Sequence, residues 1–272
     1  KNCSRDLLVC DDSILVDMEK QRIIFDVLKR ELRLDSTQFK VFYQPIYSIQ
    51  EDKLVYMEAL ARLECPEFGN VSPMEFIAVA ERKGLIEKLG DVVLEKVCKF
   101  ISENKNIVNA VSVNFSVYQI SSPHIADKIL KLIEKYKILP SNIIIEITES
   151  VFIENFAIIN RNIEALTSAG VKFYLDDFGT GYSNLTNVVT LPFSTVKMDR
   201  SLVLMMEESS RNVNLVSNLI STFKGANLQI LVEGVETEVQ NELVKSAGAD
   251  FIQGFLYSRP LPANECLELL RK

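Results

Sequence analysis

The strongest constraint in this sequence is a rhythm, in which short apolar runs that stop on polar or charged residues take turns with stretches of helical periodicity. The runs cover 40–46, 54–60, 110–115, 142–147, 171–176, 195–199, 229–233 and 249–253, and Gln44, Glu58, Asn114, Glu146, Asp176, Lys197, Glu233 and Gln253 sit at or near their ends. Runs of this length between helices are the mark of βαβ units, and eight of them in 272 residues match a (β/α)8 barrel. A doubly wound open sheet shares the rhythm. The polar strand ends favour the barrel, which builds its site from those positions.

One connection breaks the pattern. Only seven residues, Tyr47 to Lys53, separate the first two runs. Parallel neighbours need about a dozen or more, so these strands are expected to pair antiparallel. The expected fold is therefore α/β, a modified TIM (β/α)8 barrel with an antiparallel first strand. Apolar residues Ile14, Met18, Ile24, Leu28 and Leu32 predict an amphipathic helix over 13–34. Ser72-Pro73-Met74-Glu75 predicts a capped helix start, with helical sequence to about Glu103 divided at Gly84 and Gly90. Further helices are expected after Ser122-Pro123 and over 155–168, 211–223 and 237–247, the last opened by a capping box from Thr237 to Gln240. Residues 1–16 read as a linker or the remnant of an upstream domain, and 17–272 as the barrel. Lys1 in place of an initiator Met is expected of a piece of a longer polypeptide.

Charge and composition remove several classes of function. A net charge of −7 and a pI near 5.0 give no basic field for a nucleic-acid backbone, so no DNA binding is expected. No apolar run approaches the ~18 residues of a membrane span. With no signal-peptide pattern either, the segment is expected in the cytoplasm, alone or as the cytoplasmic part of a membrane-anchored protein. Five cysteines, odd in number and without a C-x-x-C pair, fit reduced thiols. A single histidine, His124, excludes imidazole-rich zinc sites and Ser-His-Asp triads. Asp177-Phe178-Gly179 spells a kinase motif without a catalytic loop, and Gly179-x-Gly181 lacks the third glycine of a dinucleotide fingerprint.

What remains is carboxylate chemistry. Glu58, Glu146, Asp176 and Glu233, with Asn114, form an all-oxygen set drawn from different strands, the donor type of Mg2+, Mn2+ or Ca2+. Any one of these carboxylates alone reads as a surface ion pair or a helix cap; their joint placement at strand ends does not. Strand alternation puts Thr195, Lys197 and Asp199 on one face, and Leu231 and Glu233 on one face. The adjacent Asp176 and Asp177 point apart unless the strand bends there. Glu238 and Gln240 read as capping residues, while Tyr257 beside Arg259-Pro260 is a candidate wall for a base-binding pocket.

The landmarks stand in order as Tyr43-Gln-Pro-Ile46, Glu58-Ala-Leu-Ala-Arg62, Val113-Asn-Phe-Ser116, Glu146-Ile-Thr-Glu149, Asp176-Asp-Phe-Gly-Thr-Gly181, Lys197-Met-Asp199, Glu233-Gly-Val-Glu236 and Gln253-Gly-Phe255. In this order the chain resembles the EAL-domain family of cyclic di-GMP phosphodiesterases over about residues 17–272. The resemblance implies a barrel with an antiparallel first strand and hydrolysis of cyclic di-GMP to linear pGpG. It implies that Glu58, Asn114, Glu146 and Asp176 ligate one divalent ion and Asp177 the second, with Glu233 near both and Gln253 orienting the site. Lys197 would contact the attacking water, Gln44 and Arg62 the dinucleotide, and Glu149 would anchor the loop after Asp177, with Glu236 in support. The implied cofactors are two Mg2+ or Mn2+ ions, with Ca2+ expected to inhibit. The implied partners are a second copy of the chain, paired near the Asp177 loop, and an upstream sensory or GGDEF-type domain. The chain departs from the family pattern at Leu63, where an aromatic is usual, and it contains no Trp. Two rival readings stand beside the phosphodiesterase: a silent cyclic di-GMP receptor, and a metal-dependent barrel lyase or aldolase with Lys197 as its base.

Overall fold

Eight strands close into a ring in the computed structural model, which describes residues 12–148, 156–180, 188 and 190–271. Strand β1 is Phe39–Ser48 and β2 Lys53–Cys65; a short β3, Gly69–Val71, pairs with the far end of β2. The ring continues through β4 (Val111–Asn114), β5 (Ile143–Thr148), β6 (Lys172–Phe178), β7 (Thr195–Met198), β8 (Gln229–Val232) and β9 (Phe251–Ile252). From β2 through β9 every neighbouring pair along the ring is parallel, whereas β1 runs antiparallel to β9 and closes the ring by pairing with β2. The connection, expected at seven residues, is four, 49–52, and the hairpin it makes is what so short a link requires. A last strand, β10 (Leu261–Pro262), pairs antiparallel with the start of β1. Neither β3 nor β10 was expected: at three and two residues they carry no period a sequence can display.

Chain contacts divide the molecule into two compact units. The first comprises 1–40 and 62–89. In it, helix Asp12–Glu31 packs on helix Pro73–Arg82, and Phe39 meets Phe76 edge to face at 6.4 Å. The first helix begins at Asp12, so residue 16 lies inside it. Pro73 takes the first helical position as expected, but the Ser72 side chain makes no capping hydrogen bond. Gly84 ends this helix at φ +69°, where the Leu85 N–H reaches back to the Ala80 carbonyl at 2.7 Å in the glycine-terminated manner. Leu63, in place of the usual aromatic, is 1% exposed and pairs with Val71, so it is packed away from solvent.

The second unit, 41–61 and 90–272, holds the ring. Gly90 does not divide its helix, which runs unbroken as Ile86–Glu103; a Cβ there would meet the Gln119 amide at 1.6 Å, so the small residue makes room for that side chain. Helix Glu238–Ser246 opens with the predicted box, in which the Gln240 N–H donates to the Thr237 hydroxyl and the Thr237 N–H to the Gln240 side chain. Inside the ring, Ile46, Tyr56, Ile144, Tyr174 and Leu231 pack as a floor. Because strand side chains alternate, residues two positions further toward the strand ends point into the same interior, one layer higher. Among the described residues no helix is long and apolar enough to cross a membrane.

Candidate active site

The layer above the floor is polar. Glu58 follows Tyr56 on β2, Glu146 follows Ile144 on β5, Asp176 follows Tyr174 on β6 and Lys197 follows Thr195 on β7, each by two residues. Glu233 lies just past β8 and Gln253 just past β9, while Gln44 comes from the reversed β1. The strand rhythm therefore converts one sequence pattern into two interior layers, apolar below and ionic above.

Lys197 sits at the centre and is 1% exposed. Its Nζ lies 2.7 Å from Glu233 Oε1, 2.8 Å from Glu146 Oε2, 2.9 Å from Asp176 Oδ1 and 3.7 Å from Glu58 Oε1. Burial opposes the ammonium, but these carboxylates override it and hold the lysine charged well above its ordinary range. With Asp177, five carboxylates face one cation, a formal excess of four negative charges that burial makes costly. Burial, opposed by Lys197 and reinforced by Glu58 and Asp176, pushes Glu146 well above the carboxylate range. Burial likewise raises Glu233, to about 8. Its side chain keeps 21% of its exposure, so water screens part of that shift. Glu58 moves the other way: burial would raise it, but Lys197 and the amides of Gln253 and Asn114 lower it.

Those amides form an ordered chain. Asn114 Nδ2 donates to Glu58 Oε1 at 2.6 Å, and Gln253 Nε2 to Glu58 Oε2 at 2.6 Å. Gln253 also reaches Gln44 Oε1 at 3.2 Å, and Gln44 Nε2 donates to the Ser258 carbonyl at 3.0 Å. On the other side, the β6 register shifts between Leu175 and Phe178, and Asp177 takes a left-handed φ of +56°. This is the bend the adjacent aspartates require, and it brings oxygens of Asp176, Asp177 and Glu233 within 4.8 Å of one another. Burial, then the Asp176 charge, raise Asp177. Gly234 adopts φ +71°, and a Cβ on it would stand 2.5 Å from Arg200 Cβ, so only glycine admits Arg200 beside Glu233.

The donor set fits hard divalent cations. Three carboxylate oxygens already converge, Glu146 Oε1 and Gln253 Oε1 are buried without a hydrogen-bond partner, and burial, reinforced by neighbouring carboxylates, raises the pKa values of Glu146 and Glu233. Glu58, Glu146, Asp176, Asp177 and Glu233 would hold the ions, with the amide oxygen of Asn114 as a further donor while its nitrogen stays on Glu58.

A cleft of about 350 Å3 opens over this layer, with Gln44, Glu58, Asp176, Asp177, Lys197, Glu233, Glu236 and Gln253 in its wall. Two further wall residues were given no role by the sequence reading. Arg200 pairs with Glu236 at 2.9 Å, and Phe255 carries the Arg259 guanidinium over its ring at 4.1 Å. Arg200 stands one residue past Lys197-Met-Asp199, a motif scanned for carboxylates and lysine alone. Asp199 caps helix Arg200–Glu208 by accepting from the Ser201 N–H. Tyr257 does not line the cleft; it stacks on Tyr47 at 4.3 Å and donates to Asn241 Oδ1 at 2.9 Å. Arg62 belongs to the first unit, four residues past Glu58 on β2, and Glu149 lies outside the described residues.

Fold and site together define a (β/α)8 barrel with an oxygen-rich, cation-ready mouth. The chain belongs to the EAL domain family, which it matches over residues 27–260. It is 34% identical over 252 residues to "Oxygen sensor protein DosP" of Escherichia coli (strain K12), covering 92% of this chain and 31% of that protein. It is 30% identical over 263 residues to "Cyclic di-GMP phosphodiesterase NbdA" of Pseudomonas aeruginosa, covering 95% and 33%. The chain thus spans about a third of the length of these curated relatives. Among solved structures, "PaMucR Phosphodiesterase, c-di-GMP complex" superposes with a TM-score of 0.82 at 32% identity, covering 89% of this chain and 99% of that one. "Structure of EAL enzyme Bd1971 - cAMP bound form" gives 0.86 at 26% identity, covering 95% and 71%.

Proposed function

We propose that this chain hydrolyses cyclic di-GMP to linear 5′-pGpG with two divalent ions, Mg2+ or Mn2+, at the barrel mouth. The observation that carries the reading is the cluster of Asp176, Asp177 and Glu233 oxygens beside the fully buried Lys197. The relatives named as cyclic di-GMP phosphodiesterases and the PaMucR complex support the choice of substrate. Bound cations supply the Lewis acidity and the water of lowered pKa that phosphodiester hydrolysis needs. The chain's own residues do the rest. Glu58, clamped by Asn114 and Gln253, presents fixed oxygens to the site, so no reorganisation is needed on loading. Lys197 holds a positive charge where the attacking oxygen approaches and where charge builds on the phosphate. Arg200 in the cleft wall offers a fork to a phosphate, and Gln44 a polar contact to the dinucleotide. Water adds across one P–O3′ bond, the 3′ oxygen leaves with a proton, and a 5′ phosphate monoester remains. Ca2+, larger and less exacting in geometry, binds the same oxygens and inhibits.

The same reading includes homodimerisation near the Asp177 loop, a cytoplasmic location and regulation by a domain upstream. The deciding assay mixes the purified chain with cyclic di-GMP and Mg2+ or Mn2+, with Glu58→Ala as the inactive control. Linear pGpG from the wild type alone is expected; none at any metal concentration rejects the proposal.

A further inference from the structure

The floor of the barrel is less apolar than its packing implies. Tyr56, Ser112, Tyr174 and Thr195 lie one strand repeat beneath Glu58, Asn114, Asp176 and Lys197, and none is more than 6% exposed. Strand register ties the two layers together: Ser112 pairs with Glu58, and Tyr174 pairs with both Glu146 and Thr195. The two tyrosine rings meet edge to face at 6.0 Å. Three of these hydroxyls, Tyr56 Oη, Ser112 Oγ and Thr195 Oγ1, are buried without a hydrogen bond of good geometry, although the Tyr174 side chain interacts with both Tyr56 and Thr195, and Glu146 Oε1 is buried and unpartnered as well. Buried polar groups without partners carry a desolvation penalty, which folded proteins meet with ordered internal water. Val would fill the Thr195 position and Phe the Tyr56 position without that penalty, so the hydroxyls call for a partner.

We infer that the barrel binds internal water between its floor and its mouth, and that through it Tyr56 and Thr195 act as positioning residues for Glu146. The hydroxyls both donate and accept, and Glu146 Oε1 accepts, so one or two waters find the two to four polar partners that a buried site requires. Held from below, Glu146 keeps one oxygen on Lys197 while the other is fixed in direction rather than left to rotate. The positioning half of this inference rests on the metal reading given above; the water site does not.

Two measurements on the metal-free and Mn2+-titrated chain test it, using Tyr56→Phe, Thr195→Val, the double variant, and Ile144→Val as an apolar control in the same floor. If water satisfies the hydroxyls, each single variant melts roughly 2–4 °C lower than wild type without metal. The double variant also binds Mn2+ at least about tenfold more weakly, the size of effect expected when a ligand loses its outer hydrogen bond. Ile144→Val melts lower with unchanged Mn2+ affinity. Single variants as stable as wild type, or more stable, overturn the water site. A destabilised double variant with wild-type Mn2+ affinity overturns the positioning role. Wild type that binds no Mn2+ overturns the metal reading instead, and the melting comparison still decides the water site.

Discussion

The two sides of the barrel mouth solve the same electrostatic problem differently. On the β2, β4 and β9 side, Glu58 accepts from two amides, and Lys197 together with those amides lowers its pKa despite burial. On the β6 and β8 side, Asp176, Asp177 and Glu233 face one another, and Asp177 and Glu233 rise. Lys197 serves both. The lesson is that donors, rather than depth, decide whether a buried carboxylate stays ionised. The amide side is organised before any ion arrives, whereas the carboxylate side is completed by one.

The sharpest way to break this comparison is to remove the shared cation. Lys197→Met leaves buried carboxylates without a counter-charge and should cost about 3–5 kcal/mol, read by denaturant unfolding, with Mn2+ restoring part of the loss. An unchanged midpoint would mean that the four contacts contribute nothing. Next, the two sides should respond in opposite directions. Gln253→Leu strips a donor from Glu58 and should destabilise the metal-free chain by about 1–3 kcal/mol. Asp177→Asn removes repulsion and should leave metal-free stability equal or higher while abolishing hydrolysis. Equal losses from both variants would erase the distinction.

A pH series sharpens it further. Glu146, Asp177 and Glu233 have folded pKa values above their unfolded ones, so the folded state binds more protons above the ordinary carboxylate range, a window that for Glu233 extends to about 8. Stability from these groups is full below pH ~4.5 and is lost as pH rises through their folded pKa values, about 8 for Glu233. Melting of the metal-free chain should therefore fall across that window, and saturating Mg2+ should flatten the curve. A flat metal-free profile would contradict the assignment. The smallest effect belongs to Arg200→Ala: its ion pair with Glu236 is half exposed, so stability should change by less than about 1 kcal/mol while KM rises.

Much of this arrangement was legible in the chain. The ring and its reversed first strand follow from run spacing and a seven-residue connection, and the upper layer follows from the polar residues at the run ends. What the sequence withheld depends on geometry that no period encodes. Asp177 joins Asp176 only through a left-handed residue and a register shift, and a sequence can state that need without supplying the bend. Gly90 looks like a helix breaker until Gln119, distant in sequence, occupies the missing Cβ position. Arg200 enters the cleft because Gly234 leaves space for it, a long-range fit between a helix start and a loop. Tyr257 satisfied every local expectation of a pocket residue and instead found Tyr47 and Asn241.

The reversed β1 has a practical consequence for anyone wishing to watch this molecule work. Its turn into β2 lies at the end of the barrel opposite the mouth, with Gln50, Glu51 and Asp52 exposed and Asp52 held by the Tyr47 hydroxyl. Most barrel connections at that end join a helix to a strand, but this one is a tight hairpin made of the two strands that close the ring. A reporter grafted at Glu51 would sit on the closing seam, away from every residue that lines the cleft.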